Sequence, residues 1–321
     1  MRALLILNPV SGDAEPNTEK VAAIRAGLAA APFTLEVQET TPERGADLLA
    51  REAVDAGVEV ILVGGGDGTV SEVARELVQR PATLGILPIG TFNNIARSVG
   101  VLGELSAATQ VIAAGHVRSI DVGVANESEY FFEAAGAGLD ATLFPLGEEV
   151  KGGRWTRLWH IVKLTWKYQP QPFELTFDQP LREVLPAERQ RRLSPRALAG
   201  RTIRLNALLV VGANGPYYGG GFTVAAGARL RDGRLTISVY RRFSKWELAR
   251  HFQSISRGRY RYSPKIETFT AAEVEFTSLR KVPVHVDGQP FGDTPIKLRA
   301  VPQALRVFAP MDGPANEGAR P

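Results

Sequence analysis

Apolar residues in the first third of the chain fall into short runs, separated by stretches where they recur every three or four positions. Ala3–Leu7 is one such run and reads as a strand. Val21–Ala30 has helical spacing, and Thr34–Glu39 alternates like a half-buried strand. Ala46–Ala56 is helical and stops at Gly57, a residue suited to the left-handed turn that ends a helix. Val58–Val63 is nearly all apolar and rich in β-branched residues, the pattern of a strand covered on both faces. Thr69–Gln79 is a further helix halted by Pro81. Thr83–Leu87 is a strand, and Phe92–Val99 and Leu105–Ala114 are helices. Strands alternating with helices predict an α/β domain: a doubly wound, mostly parallel sheet with helices on both faces.

Beyond about Val117 the pattern changes. Tyr130–Ala134, Phe173–Phe177, Ile203–Val211, Arg234–Tyr240, Glu273–Thr277 and Val282–Val286 read as strands separated by Gly, Pro and Asp-Gly turns. They predict a second, antiparallel, β-rich and sandwich-like domain. Trp155–Tyr168 and Trp246–Ser256 are the clearest helices within it, and the polar, basic stretch Pro186–Gly200 reads as an exposed insertion. The division expected is a first domain over 1–122, a second over 123–310 and a disordered Gly/Pro-containing tail over 311–321.

A chain of 321 residues with 44% hydrophobic residues has material for two such cores. Cysteine is absent, so disulfides and zinc–thiolate sites are excluded, and a cytoplasmic location is expected. No run approaches the ~18 apolar residues of a spanning helix. The opening Met1–Leu7 run stops at Asn8-Pro9, too short for a secretory signal. The formal net charge is +4, but the base is clustered in Lys151–Arg204 and Arg241–Lys265. Such clusters suit phosphate-bearing partners: nucleotides, nucleic acid or anionic membrane.

The most informative stretch is Val63-Gly64-Gly65-Gly66-Asp67-Gly68-Thr69-Val70-Ser71-Glu72. A buried strand runs into glycines and opens a helix. Glycines let backbone N–H groups approach an anion closely, and the helix start presents unpaired donors with partial positive charge. Together these make a phosphate site. Asp67 suits a Mg²⁺ ion or the phosphoryl-transfer centre; as an ordinary turn it would simply cap the helix. No Gly-Lys-Ser/Thr follows, so this is not a Walker A loop.

Gly65-Gly66-Asp67-Gly68-Thr69 resembles the GGDGT signature shared by diacylglycerol, sphingosine and NAD kinases and, more loosely, phosphofructokinases. Three more stretches narrow the resemblance to the diacylglycerol kinase catalytic-domain family. They are Asn8-Pro9-Val10-Ser11-Gly12, then Leu84-Gly85-Ile86-Leu87-Pro88-Ile89-Gly90-Thr91-Phe92-Asn93-Asn94-Ile95-Ala96-Arg97, and the Tyr218–Gly221, Arg231–Gly233 and Val286–Gln289 elements. The resemblance implies an ATP-dependent lipid kinase that uses Mg²⁺ and moves the γ-phosphate to a lipid hydroxyl, with the nucleotide in an interdomain cleft.

By the same resemblance, Asn8 to Gly12, Thr41, Gly65, the residues from Gly66 to Glu72, Thr91 and Asn93 contact the nucleotide, with Asp67 also catalytic. Asp232 matches an aspartate that holds a structural Mg²⁺, and Asp287 sits where a base would take the lipid hydroxyl proton. As plain turn residues, Asp232 and Asp287 would each do no more than shape an Asp-Gly turn. Asn94 and Gln289 stand where the family has Asp and Glu; Gln is no base, which leaves Asp287 as the ionisable acid of its motif. The implied partners are ATP and a lipid at a membrane surface, with a homodimer a further expectation and nucleic acid not among them. An NAD kinase-like enzyme and a non-catalytic nucleotide- or lipid-binding regulator are the alternatives.

Two further features stand outside the motifs. Trp155–Tyr168 mixes Trp155, Trp159, Trp166 and Tyr168 with Arg154, Arg157, Lys163 and Lys167, and Arg257–Tyr262 repeats the mixture. Aromatics interleaved with base suit a membrane interface, or a solvated face over a packed core. His116, His160, His251 and His285 show no ligand spacing, and Asp121 suits a structural polar role.

Overall fold

The computed structural model describes residues 1–11, 17–144, 157–191, 193–225, 227–241, 243–244, 246–247, 250, 254 and 265–311. The chain divides into two compact units. The first comprises Met1–Val122, Arg229–Asp232 and the segment from Pro302; the second comprises Gly123–Ala228 and Gly233–Val301.

The first unit is built on four parallel strands: β1 (Arg2–Leu7), β2 (Thr34–Glu39), β3 (Val60–Gly65) and β4 (Thr83–Pro88). Their order is β2-β1-β3-β4, with Leu5 beside Val37 and Leu62, and Ile61 beside Leu84. Helices α1 (Asn17–Gly27), α2 (Ala46–Asp55) and α3 (Asp67–Leu77) connect them, followed by α4 (Asn94–Ser98) and α5 (Leu105–Ala113). α1 packs with α5, and α2 with α3, as right-handed crossovers to opposite sides of β1 require. The central strands are therefore covered twice over: Leu5, Ile6, Leu7, Ile61, Leu62 and Val63 are fully buried. Each such side chain contributes about 1.5–3 kcal/mol. β2, at the edge, keeps the alternating burial its sequence predicts.

In the second unit the structure reveals two antiparallel sheets. Here β5 (Val117–Ala125) runs in from the first unit, and its end turns back into β6 (Glu129–Phe131). Next come β7 (Ala134–Gly138), a helical segment α6 (residues 139–144), α7 (Arg157–Lys167) and β8 (Gln171–Phe177). Short helices α8 (Leu181–Val184), α9 (Ala187–Gln190) and α10 (Pro195–Ala199) precede β9 (Thr202–Ala207) and β10 (Leu209–Ala213). The remainder is strand: β11 (Tyr217–Tyr218), β12 (Phe222–Thr223), β13 (Leu235–Tyr240), β14 (Ile266–Ala271), β15 (Glu273–Ser278), β16 (Pro283–Val286), β17 (Gln289–Asp293) and β18 (Ile296–Phe308).

One sheet has the order β14-β13-β10-β7-β16-β17; the other runs β18-β15-β8-β9. Phe173, Leu175, Phe276 and Leu298 from one sheet and Ile237, Phe269, Val284 and Val286 from the other make a common core. That is a sandwich. The first sheet's other face is covered too, by Leu139, Tyr218, Val224 and Phe243 with Phe144 and Tyr168. Every residue of β10 and β13 is buried for this reason.

Some sequence expectations are refined, and others fall outside the described residues. The single strand expected over Tyr130–Ala134 is two strands, broken where Phe132 and Glu133 turn their N–H groups onto a side chain. The stretch Pro186–Gly200 carries α9 and α10, and Leu193 and Leu198 pack against the core. Most of Trp246–Ser256, all of Arg257–Tyr262 and the tail beyond Met311 lie outside the described residues.

A buried aspartate of β5 contacts both late segments of the first unit. Asp121 is 1% exposed. Its backbone N–H donates to the Leu230 carbonyl (2.7 Å), and its Oδ1 accepts from the Gln303 N–H (2.8 Å). Losing that acceptor leaves a donor unsatisfied, so Asp121→Ala is expected to lower unfolding free energy by about 2–3 kcal/mol. Denaturant titration checks this; a midpoint equal to wild type refutes it.

Candidate functional site

In the first unit, the strand order places a reversal between β1 and β3, because the chain goes from β1 to one side and then returns to the other. Ligands of open α/β sheets bind at the carboxyl ends of strands beside such a reversal. The residues singled out from sequence meet there. Asn8 follows β1, and its Nδ2 donates to Thr69 Oγ1 in the first turn of α3 (2.9 Å). Its N–H donates to the Gly64 carbonyl (2.9 Å), and its Oδ1 accepts from the Val10 N–H (3.1 Å). Pro9, Val10 and Ser11 form the exposed turn beyond, held by a Ser11 N–H to Asn8 carbonyl bond. Gly12 lies outside the described residues.

Gly66, and not Asp67, is the residue that caps α3; it is extended and has no side chain to offer. The N–H groups from Gly66 to Thr69 are then the ones without intrahelical partners. Val70, by contrast, already donates to the Gly66 carbonyl (3.0 Å). Thr69, Val70 and Ser71 are buried against the sheet, Gly68 and Glu72 are exposed, and Gly65 ends β3. A methyl group on Gly65 would strike Thr69 (2.6 Å). One on Gly90 would stand 2.4 Å from the Gly66 Cα. The loop after β4 thus passes against the glycine-rich loop, backbone to backbone.

Asp67 joins those two loops. Its Oδ1 accepts the Ile95 N–H at the start of α4 (3.0 Å). The residue in the capping position there, Asn93, is left-handed and spends its amide on Gly90: Oδ1 accepts the Gly90 N–H (3.0 Å) and Nδ2 donates to its carbonyl (2.7 Å). Asp67 supplies the cap instead. Burial pushes its carboxyl above the ordinary 3.8, against the pull of the backbone donors and Arg97. Thr91 is exposed at the tip of this loop. Thr41 is exposed in the turn after β2, where its Oγ1 accepts the Arg44 N–H (3.2 Å). The structure thus gathers the residues expected to contact a nucleotide at neighbouring strand ends. Asp232 is exposed in a turn completed by left-handed Gly233.

In the second unit, Asp287 and Gly288 form the two-residue turn between β16 and β17, both with positive φ, as this hairpin type requires. The Asp287 carboxylate accepts three backbone N–H groups: Phe132 on Oδ2 (2.9 Å), Glu133 and Ala134 on Oδ1 (2.9 and 3.0 Å). Its orientation is fixed to within the geometry of those bonds. Gln289 is exposed on β17.

Beside it lies a buried cluster that sequence reasoning missed. His285 is fully buried, with Nε2 2.7 Å from Tyr218 Oη and 3.0 Å from Asp140 Oδ2. Tyr218 also donates to Asp140 Oδ2 (3.2 Å), and burial with the nearby carboxylates pushes its hydroxyl well up. Phe144 packs on both rings, and the Gly219 N–H donates to Glu133 (3.0 Å). The available signal was that His285 lies two residues before Asp287, and Tyr218 opens the Tyr-Gly-Gly-Gly stretch.

Residues 2–125 match the family model for the diacylglycerol kinase catalytic domain, and residues 158–309 the model for the YegS C-terminal NAD kinase beta sandwich-like domain. A protein named "Probable lipid kinase YegS-like" from Chromohalobacter salexigens is 30% identical over 316 residues, covering 95% of this chain and 92% of its own length. A diacylglycerol kinase of Staphylococcus carnosus is 26% identical over 314 residues, covering 97% and 96%. The crystal structure of a diacylglycerol kinase from Bacillus anthracis str. Sterne has the same fold, with a TM-score of 0.71 over 97% of both chains at 23% identity.

Two outcomes are expected. Because the folded protein raises the Asp67 pKa, the stability tied to that group is complete below pH 3.8 and lost as pH rises through the folded value. Asp67→Asn removes that penalty, so its melting temperature exceeds wild type near neutrality, and the gap closes below about pH 4. Asp287→Ala strips three N–H groups of their acceptor and costs about 2–4 kcal/mol in denaturant unfolding. An unchanged midpoint would contradict the bonding described.

Proposed function

This chain belongs to the diacylglycerol kinase catalytic-domain family and is a lipid kinase; we propose that it transfers the γ-phosphate of ATP to the hydroxyl of a diacylglycerol-like lipid. The observation that carries the donor half of this reading is the joining of Asn8, Thr69, Gly66 and Gly90 at the strand reversal between β1 and β3. Unpaired N–H groups at the start of α3 and glycines that let a phosphate come close are what a triphosphate needs.

Phosphoryl transfer asks the protein mainly to position the reactants and to neutralise charge. In the proposed reaction the lipid oxygen forms a bond to the γ-phosphorus, the bond to the β,γ-bridging oxygen breaks, and ADP leaves. The hydroxyl proton passes to the Asp287 carboxylate. Three backbone donors hold that carboxylate in one orientation, so a hydroxyl meets a base that does not have to be ordered first. His285, Tyr218 and Asp140 brace the β16–β17 hairpin from inside the unit.

Among the described residues no group of three or more His, Asp or Glu is arranged to hold an ion alone. That suits magnesium arriving with the nucleotide, since Mg²⁺ keeps waters and takes one or two carboxylates beside phosphate oxygens. Asp67 would supply a carboxylate to it, and one at Asp232 would rely on backbone carbonyls and water. Bound there, the ion would neutralise charge building on the phosphates. It would also offset the cost of keeping Asp67 ionised while partly buried.

The test is transfer of label from [γ-³²P]ATP, with Mg²⁺, to diacylglycerol, sphingoid and glycerophospholipid acceptors in mixed micelles. Wild type is expected to label diacylglycerol. Asp67→Ala and Asp287→Asn are each expected to fall by about 10²–10⁴-fold while retaining folded circular dichroism. Asp287→Asn within a few-fold of wild type would remove Asp287 as the base. Labelling of NAD and of no lipid would replace the acceptor altogether.

A further inference from the structure

Asp287 is not the only carboxylate at its turn. Glu133, one of the two residues between β6 and β7, is 7% exposed, and the reaction proposed above gives it no part. It is tied to three elements of the second unit at once. Its N–H donates to Asp287 Oδ1 (2.9 Å), and its carbonyl accepts the N–H groups of Asn214 and Gly215 (2.9 and 3.3 Å). Its side-chain Oε2 accepts the N–H of Gly219, which is left-handed at the start of the β11–β12 turn (3.0 Å). A glutamine has the same reach and the same acceptor oxygen without the cost of burying a charge. The Gly219 bond alone therefore does not account for an acid at this position.

The neighbours show where the charge acts. Burial first, and then the negative charges of Asp140, Glu133 and Asp287, push the Tyr218 hydroxyl well up. The fields of Glu133 and Asp287 thus fall on one buried hydroxyl, which also lies 2.7 Å from His285 Nε2. The sequence adds a second observation. Gln289, the first residue after the Asp287–Gly288 turn, is exposed and neutral where the family has Glu. The register sets Glu133 and Gln289 on either side of that turn. Val286 of β16 faces Gln289 on β17 and Ala135 on β7, and the Asp287 N–H donates to the carbonyl of Ala134, the residue after Glu133. An acid absent from one flank of Asp287 is present on the other.

Three N–H donors orient the Asp287 carboxylate, but donors of this kind also favour the ionised form and so weaken its pull on a proton. A second negative charge nearby works in the opposite sense. A base that is both held in place and ready to accept a proton needs both influences. We infer that Glu133 is the electrostatic partner of Asp287, a positioning residue whose charge offsets those donors and draws the hydroxyl proton onto Asp287, in place of the acid absent at Gln289. No proton ends on Glu133: the proton still passes from the lipid oxygen to Asp287. The inference rests on Asp287 as the base of the proposed reaction.

The experiment uses the full chain with [γ-³²P]ATP, Mg²⁺ and the lipid that wild type labels, in mixed micelles. Turnover and lipid KM are measured for wild type, Glu133→Gln, Gln289→Glu, the double variant Glu133→Gln/Gln289→Glu, and Asp287→Asn. Glu133→Gln keeps an oxygen for Gly219 and removes only the charge, so its melting temperature is expected to be no lower than that of wild type. Its kcat is expected to fall about tenfold or more, with KM within about twofold. Gln289→Glu is expected to recover most of that loss in the double variant, and to change wild type by much less, a non-additive cycle that marks one shared role.

An unchanged kcat in Glu133→Gln overturns the inference. So does a loss that Gln289→Glu fails to recover, which would make Glu133 an acceptor for Gly219 and no more. The failure of the underlying reading looks different. Asp287→Asn with wild-type kcat removes the base and its partner together, whereas an inactive Asp287→Asn beside a fully active Glu133→Gln removes the partner alone.

Discussion

A backbone N–H taken out of water has to find an acceptor, and where strands and helices end the backbone cannot supply one. In this chain aspartate and asparagine side chains from remote positions meet that need. Asp67 takes the Ile95 amide, Asp121 the Gln303 amide, Asp287 the amides of Phe132 to Ala134, and Asn126 the Lys297 amide. Each bond fastens one segment to another that is distant in sequence. The two carboxylates with proposed chemical roles are among these fasteners. Their chemistry and their structural work therefore come from the same oxygens, and a substitution that probes one necessarily disturbs the other.

Much of the first unit was legible because periodicity and burial coincide there. Val58–Val63 reads as a strand covered on both faces, and β3 is buried throughout. The glycine-rich loop was legible for a steric reason that the structure makes concrete: a side chain on Gly90 would strike the Gly66 backbone, and one on Gly65 would strike Thr69. What periodicity could not show was tertiary. Nothing in the spacing of Arg229–Asp232 or of the segment after Pro302 says that they return to the first unit. Nor does a lone Asp140, Tyr218 or His285 announce its neighbours, since the three are brought together by folding from positions far apart. The split of the strand expected over Tyr130–Ala134 has the same origin, because its cause is a carboxylate more than a hundred residues downstream.

The second unit solves a different problem. A sheet with one wet face can carry polar residues on alternate positions, whereas its central strands are covered on both sides. Polar atoms placed in that environment have to satisfy one another. Asp140, Tyr218 and His285 do so within about one side-chain length of the Asp287 turn. The hairpin that presents the carboxylate is stiffened by a polar cluster whose members would each be costly alone.

Strand β18 is divided between the two units. Ile296–Arg299 pair with β15 in the second, whereas Arg306 and Val307 pair with β4 in the first. During synthesis β4 therefore leaves the ribosome with an uncovered edge and waits until β18 has been made before Leu84 can meet Val307. An edge left open is a template for pairing with other chains. Vectorial folding of this kinase thus cannot finish its first-made part first; the nascent chain stays vulnerable to aggregation, and to the attention of chaperones, until β18 emerges.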